Sequence, residues 1–121
     1  MGLTMAQFKF LFLLVYWYQK SDIFEFEWDS GNQKKSSTKH HVSPDEVESV
    51  FELKLAVPIG RQISPISQEV RFCILGPTAT GRMLSVVFVI RSGKVRPISG
   101  RPVSRKERNL YEEISQTIKG L

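Results

Sequence analysis

The chain of 121 residues is long enough for one domain with a single hydrophobic core, plus at most a short appendage. Its contents of 41% hydrophobic and 24% charged residues are those of a soluble globular protein, and they exclude a disordered chain. A single cysteine, Cys73, excludes an internal disulfide bond and a cysteine-rich metal cluster, and it fits the reducing environment of a cytoplasm.

The formal net charge of +5 belongs to the C-terminal half of the chain. Residues 1–69 carry seven basic and nine acidic side chains, a net charge of −2, whereas residues 70–121 carry ten basic and three acidic side chains, a net charge of +7. This asymmetry favours a polyanionic partner, either nucleic acid or an acidic protein. A basic face without such a partner is the alternative.

The first 23 residues do not continue the pattern of the rest of the chain. Residues 8–18 are apolar and aromatic, but this run of eleven residues is much shorter than the ~20 residues of a membrane helix. It has the length of a signal-peptide core, yet no small-residue cleavage site follows. Three explanations fit this segment: an extra strand or helix, a weak signal peptide, or an upstream start codon that adds residues to the domain. The last is favoured. Residues 1–23 are therefore predicted to be an N-terminal extension of a domain over residues 24–121, with no membrane partner.

The first predicted element of the domain is a strand over residues 23–28. Three aromatic residues, the last of them Trp28, alternate there with Ile23 and two glutamates, which is the period of a half-buried strand. Residues 29–41 are polar, and their helical signals are weak.

A short helix is predicted next, over residues 43–51. Ser43 and Glu46 form a capping box, and Pro44 suits the first helical turn. Three apolar residues share one face of this helix: Val47, Val50 and Phe51.

Three strands and a final helix are predicted after an irregular connection over residues 55–69. The strands are Val70–Leu75, Met83–Ile90 and Lys94–Ser99. The second is nearly all apolar and is predicted to be central, whereas Pro97 confines the third to a sheet edge or a bulge. A second capping box, Ser104 and Glu107, begins a helix with Leu110, Ile114 and Ile118 on one face. The order β-(α)-α-β-β-β-α defines an α+β fold, a small antiparallel sheet packed against helices.

Lys39, His40 and His41 form the first candidate chemical site. Two adjacent histidines without an Asp, Glu or Cys at metal spacing make a weak metal site, so no metal is predicted. General acid–base catalysis is favoured instead, because imidazole titrates near neutral pH. Solvent-exposed histidines in a loop or at a helix end are the alternative.

Basic residues of the C-terminal half form the second candidate site. Arg105 and Arg108 are neighbours on the last helix, and Arg105 lies in its first turn, where the helix dipole disfavours positive charge. A phosphate ligand would offset that cost, because helix N-termini and arginine side chains both bind phosphate. A solvated charged face is the alternative. The chain has no phosphate-binding glycine loop, dinucleotide motif or zinc-protease motif, so no cofactor is predicted.

A series of short motifs occurs in the order and spacing of a known family. They are Phe26-Glu27-Trp28-Asp29, Lys39-His40, Ser43 to Phe51, Ile74 to Gly76, Gly81-Arg82, Ile98-Ser99-Gly100-Arg101 and Glu107-Arg108 through Tyr111. Through them, residues 24–113 resemble the BrnT family of toxins. The resemblance implies a RelE-like ribonuclease of the cytoplasm that cleaves messenger RNA without a metal and arrests growth. It also implies a BrnA-like antitoxin partner, whose ribbon-helix-helix domain binds operator DNA.

The resemblance also assigns roles to individual residues. Lys39 and His40 match the family's Lys-His pair, and we expect His40 to act as general base or acid beside Lys39. Arg82 and Arg101 match further family motifs and are expected to stabilise the phosphate. The RNA-binding residues are expected to be Trp28, Arg105 and Arg108, although a core role is an alternative for Trp28.

The sequence departs from the family pattern at several of these positions. Pro102 stands where the family has lysine, which removes a phosphate contact. Ser36, His41 and Gly100 stand where asparagine, glycine and alanine are usual. A non-catalytic binding module with the toxin fold, pairing with an antitoxin or nucleic acid, is therefore the alternative function.

Overall fold

Within residues 5–63 and 69–119, which the computed structural model describes, four antiparallel strands form one sheet in the order β1-β2-β3-β4. The elements are α1 (Met5–Lys20), α2 (Ser30–His40), α3 (Pro44–Glu52), β1 (Val57–Ile63), β2 (Val70–Pro77), β3 (Met83–Arg91), β4 (Lys94–Pro102) and α4 (Arg105–Lys119). The predicted α+β class with a small antiparallel sheet is confirmed.

The hydrophobic core lies between one face of the sheet and helices α1 and α3. Strands β2 and β3 bury Phe72, Ile74, Leu84, Val86 and Phe88, and α3 buries Val47, Val50 and Phe51. The rings of Phe51 and Phe88 meet edge to face, with centroids 4.9 Å apart, the geometry that aromatic pairs prefer. The predicted inner face of α3 and the central position of β3 are both confirmed.

Helix α1 covers part of this core. Leu14 and Tyr18 are buried, and the ring of Trp17 stacks on Phe88. The Tyr18 hydroxyl donates to the Val50 oxygen at 3.1 Å and accepts from the Ala56 nitrogen at 3.2 Å. Burial raises the pKa of Tyr18 to about 12. The boundary at residue 23 stays a prediction, and among the described residues no helix is both long and apolar enough to span a bilayer.

The predicted strand over residues 23–28 is reduced to a single parallel bridge between Phe26 and Val95. The Glu27 nitrogen donates to the Val95 oxygen and the Val95 nitrogen donates to the Glu25 oxygen, both at 2.8 Å. The predicted alternation holds, because the aromatic side chains pack against the core while Ile23 is 84% exposed. Pairing stops after one bridge because α2 begins two residues beyond Trp28 and takes over the edge of β4.

Helix α2 forms where the helical signals of the sequence are weak. Asp29 and Asn32 build a capping box at its start. The helix has no apolar stripe, and its buried residues are the polar Asn32 and Ser36, one turn apart. Asn32 Nδ2 donates to the Pro97 oxygen at 3.0 Å, and the Gly100 nitrogen donates to Ser36 Oγ at 2.7 Å. Hydrogen bonds to the free edge of β4 therefore hold this helix, and a search for apolar periodicity does not detect it.

Strand β1 lies inside the region predicted to be irregular. It pairs with β2, and the register shifts between Pro58 and Gly60. Proline is tolerated here because β1 is an edge strand, where one side of the backbone needs no partner. Gly76 of β2 faces the start of β1, and a Cβ atom there would lie 2.6 Å from that of Ala56. Strand β4 is the other edge, with a bulge beside Pro97, as predicted.

Helix α4 lies on the face of the sheet opposite the core. Its capping box is confirmed, since Ser104 Oγ accepts from the Glu107 nitrogen at 3.2 Å. The Tyr111 hydroxyl donates to the Leu55 oxygen at 2.9 Å. Of the predicted apolar face, Leu110 is exposed and Ile114 is half-buried, whereas the side chain of Ile118 lies outside the described residues.

Replacing Ser36 with alanine tests the polar attachment of α2. Ser36→Ala leaves the buried Gly100 N–H without an acceptor, so we expect the free energy of unfolding to fall by about 1–3 kcal/mol. The matched control is Ser37→Ala, because Ser37 is exposed and donates only within its own helix. Denaturant unfolding of both variants measures the difference. Equal stability of the two variants would show that the Ser36–Gly100 bond does not anchor the helix.

Candidate active site

The end of α2, the turn between β2 and β3, and the start of α4 meet at one end of the sheet. Arg82, in the turn, donates from Nη1 to the backbone oxygen of His41 at 3.0 Å. The next residue, Met83, accepts a backbone hydrogen bond from Val103, which precedes α4, at 3.1 Å. The site residues predicted on α2 and on α4 therefore lie toward the same end.

The direction of α2 supports this placement. Asn32 binds Pro97 and Ser36 binds Gly100, so the helix runs along β4 in the direction of that strand. A helix rises ~1.5 Å per residue, so His40 lies ~6 Å beyond Ser36, toward the end of β4 from which α4 departs. Because Val42, just after the helix, is buried in the core, the end of α2 lies toward the face of the sheet that carries α3.

The last turn of α2 presents Lys39 and His40. Lys39 is exposed, whereas His40 is half-buried. His41 caps the helix in the left-handed conformation, with φ 53° and ψ 40°. A non-glycine residue pays about 1–2 kcal/mol for that conformation, which explains why glycine suits this position.

Arg82 is held by a carboxylate as well as by the end of α2. Its Nη1 lies 3.1 Å from both carboxylate oxygens of Glu46, which belongs to α3. Two hydrogen bonds with Thr78 fix the turn around Arg82. The Arg82 nitrogen donates to Thr78 Oγ1 at 3.0 Å, and the Thr78 nitrogen donates to the Arg82 oxygen at 2.7 Å. Within the described part of the chain, Arg82 Nε and Nη2 have no hydrogen-bond partner. These groups remain able to bind a ligand.

Arg101 lies on the face of the sheet opposite the core, the face that carries α4, and is paired with Glu107 of that helix. Its two terminal nitrogens donate to the two oxygens of Glu107 at 2.7 and 2.8 Å. The hydrogen bonds from Arg101 lower the pKa of Glu107 from its ordinary value of 4.5 to about 2. A carboxylate with a lowered pKa stabilises the folded state above pH 4.5, and this stabilisation is lost as the pH falls from 4.5 toward 2. The pair is therefore fully ionised near neutral pH.

Other cations at this end of the molecule are unpaired. Lys39, Arg105 and Arg108 are exposed and make no side-chain hydrogen bond or ion pair with any described residue. By contrast, Arg96 binds Glu27 and Asp29, and Arg91 binds Glu69. The last turn of α2 and the first turn of α4 thus both present unpaired positive charge.

Trp28 contacts the core and one acidic residue. Its ring is half-buried against the core cluster, and Nε1 donates to Glu48 Oε2 at 2.7 Å. These contacts fit the core role, and base stacking stays a prediction.

The structure places some predicted site residues together and separates others. Arg82 contacts the residue next to His40, whereas Arg101 occupies the other face with Glu107. Glu46 and Glu107 are the residues that sequence reasoning missed, because both were recognised only as helix caps. Their arginine partners on other elements leave no local signal. Among the described residues, no group of three His, Cys, Asp or Glu side chains is arranged to hold a metal ion.

Comparison with known proteins identifies the family of the chain. The model of a family described as the ribonuclease toxin, BrnT, of type II toxin–antitoxin systems matches residues 28–107. No curated protein matches the chain. The matched region extends from Trp28 to Glu107, and it contains α2, the whole sheet and the first turn of α4. The chain therefore belongs to the BrnT family of ribonuclease toxins of type II toxin–antitoxin systems.

Proposed function

We propose that this chain is a cytoplasmic, metal-independent endoribonuclease that cleaves messenger RNA and arrests growth. We also propose that a BrnA-like antitoxin neutralises it, and that the ribbon-helix-helix domain of that antitoxin binds operator DNA. The observation that carries the proposal is the contact of Arg82 with the end of α2, which brings a cation with free donors beside His40. Unpaired cations on α2 and α4 extend the positive surface on which an RNA backbone would bind.

The proposed reaction uses the ribose 2′-OH as nucleophile. A base removes the 2′-OH proton, O2′ attacks the adjacent phosphorus, and the P–O5′ bond breaks. The leaving 5′ oxygen takes a proton from an acid, and a cyclic phosphate remains on the 2′ and 3′ oxygens. His40 serves as the base or the acid. Cations stabilise the charge that develops on the phosphate oxygens, which is the role assigned to Lys39, Arg82 and Arg101.

The two arginines differ in how freely they reach a phosphate. Arg82 keeps Nε and Nη2 for a ligand while Nη1 holds Glu46 and His41. Arg101 uses both terminal nitrogens on Glu107. Because carboxylate and phosphate bind the same guanidinium geometry, an RNA phosphate competes with Glu107 for the terminal nitrogens of Arg101.

Induced expression in a bacterial host tests the function as a whole. We expect growth arrest with loss of messenger RNA, and rescue when the neighbouring open reading frame is expressed with it. The purified protein is expected to cleave RNA equally well with and without a chelator. Normal growth with folded protein would favour the non-catalytic binding module, and loss of cleavage in the chelator would contradict metal independence.

Replacing the two adjacent histidines one at a time tests the catalytic assignment. His40→Ala removes the acid or base, so we expect cleavage to slow by about 10²–10⁴-fold. His41→Gly is the control, because glycine keeps the backbone oxygen that binds Arg82 and relieves the left-handed strain. It should retain activity and raise the free energy of unfolding by about 1 kcal/mol. Full activity of His40→Ala would rule out His40.

The competition at Arg101 is tested by RNA binding. Glu107→Gln weakens the pairing with Arg101, so we expect RNA to bind about three- to tenfold more tightly. Glu113→Gln makes the same charge change on an exposed part of α4 and is the control. Titration with 2′-O-methyl RNA, which lacks the nucleophilic hydroxyl, measures affinity without cleavage. The same gain in both variants would show a general charge effect and no phosphate contact by Arg101.

A further inference from the structure

We propose that Glu46 is a positioning residue of the cleavage site, acting through Arg82 on the end of α2 and thereby on His40. This inference rests on the proposed function, because it assigns to α3 a part in arranging the catalytic histidine. Both oxygens of Glu46 accept from Arg82, and the role assigned to Glu46 is to hold this arginine.

The contacts of Glu46 connect three separate elements. One oxygen accepts from the Ser43 nitrogen at 3.3 Å, at the start of α3, and the other accepts from Thr80 Oγ1 at 3.3 Å, in the β2–β3 turn. Both oxygens accept from Arg82 Nη1, which also donates to the His41 oxygen. The side chain of Glu46 is 17% exposed, so solvent screens its pairing with Arg82 only in part. One carboxylate thus fixes the guanidinium that binds the end of α2.

The end of α2 needs such support. The last carbonyl groups of a helix have no partner within it, and helix ends fray when nothing binds them. A cation at a helix C-terminus binds these carbonyls and is favoured by the helix dipole. Arg82 makes both interactions at His41, a residue that is already strained by its left-handed conformation. If Glu46 lost its charge, Arg82 would be free to adopt other rotamers, and the turn that carries His40 would lose its anchor.

A comparison of Glu46→Gln with Ser43→Ala tests the proposal. Ser43→Ala weakens the capping box and leaves the carboxylate in place, whereas Glu46→Gln keeps an oxygen for the capping box and removes the charge that holds Arg82. We expect kcat for cleavage of an RNA oligonucleotide to fall by about tenfold in Glu46→Gln, with KM changed less than about twofold, because the histidine is misplaced while RNA-binding cations remain. Ser43→Ala should keep the wild-type kcat at a temperature where both variants are folded. Equal kcat values in the two variants would overturn the proposal.

A double-variant series separates positioning through Arg82 from a direct role of Glu46. If the two residues act as one unit, Glu46→Ala combined with Arg82→Ala is no slower than Arg82→Ala alone. Additive losses would overturn the proposed route through Arg82.

An NMR measurement keeps the test independent of catalysis. The ring proton signals of His40 and His41, assigned with His40→Ala, should shift or broaden in Glu46→Gln and stay in place in Ser43→Ala. If the wild-type chain does not cleave RNA, the proposed function fails while this measurement still decides whether Glu46 positions the helix end. Unchanged histidine signals in Glu46→Gln would refute the positioning role.

Discussion

The outer edge of β4 is closed by polar side chains of α2, and the position of the candidate site depends on this closure. An open edge presents unpaired N–H and C=O groups that would pair with another chain. Here one bridge at Phe26 covers the start of the edge, and Asn32 and Ser36 bind the backbone farther along. The spacing of these two residues, one helical turn, fixes both the direction of α2 and the point where it ends. The hydrogen bonds between α2 and the edge of β4 therefore place His40 at the end of the sheet.

The charge asymmetry of the chain is partly satisfied within the molecule. Acidic residues of the N-terminal half bind arginines of the C-terminal half, as in the pairs of Arg96 with Glu27 and of Arg82 with Glu46. Each pair joins elements that are far apart along the chain. The positive charge that stays available is consequently less than the count of basic residues suggests, and part of it lies on the last turn of α2 and the first turn of α4. Together these exposed cations form the surface on which the proposed RNA substrate would bind.

The sequence predicted well the elements that apolar spacing and caps define. Helix α3, strand β3 and the start of α4 follow from Val47, from a nearly continuous apolar run and from the Ser104 capping box. Helix α2 could not be found in this way, because Asn32 and Ser36 are buried for their hydrogen bonds and polar residues carry no periodic apolar signal. Strand β1 was missed because Pro58 lies in it, and only its place at an edge makes proline acceptable. Of the site, the residue types were predictable, but the pairing of Arg82 with Glu46 was not, because it depends on a contact between residues 36 positions apart.

The polar attachment of α2 also sets the local stability of the element that carries His40. Helices α1 and α3 are fastened by buried apolar side chains, so releasing them disrupts the core, whereas the buried side chains of α2 are polar and attach the helix through hydrogen bonds. We therefore expect α2 to open locally at a lower free-energy cost than global unfolding. We expect its amide protons to exchange with solvent through this local opening, and those of β2 and β3 to exchange only when the whole domain unfolds. The histidine thus belongs to a helix that is attached by hydrogen bonds of polar side chains, and whatever binds across the end of the sheet also slows the opening of that helix.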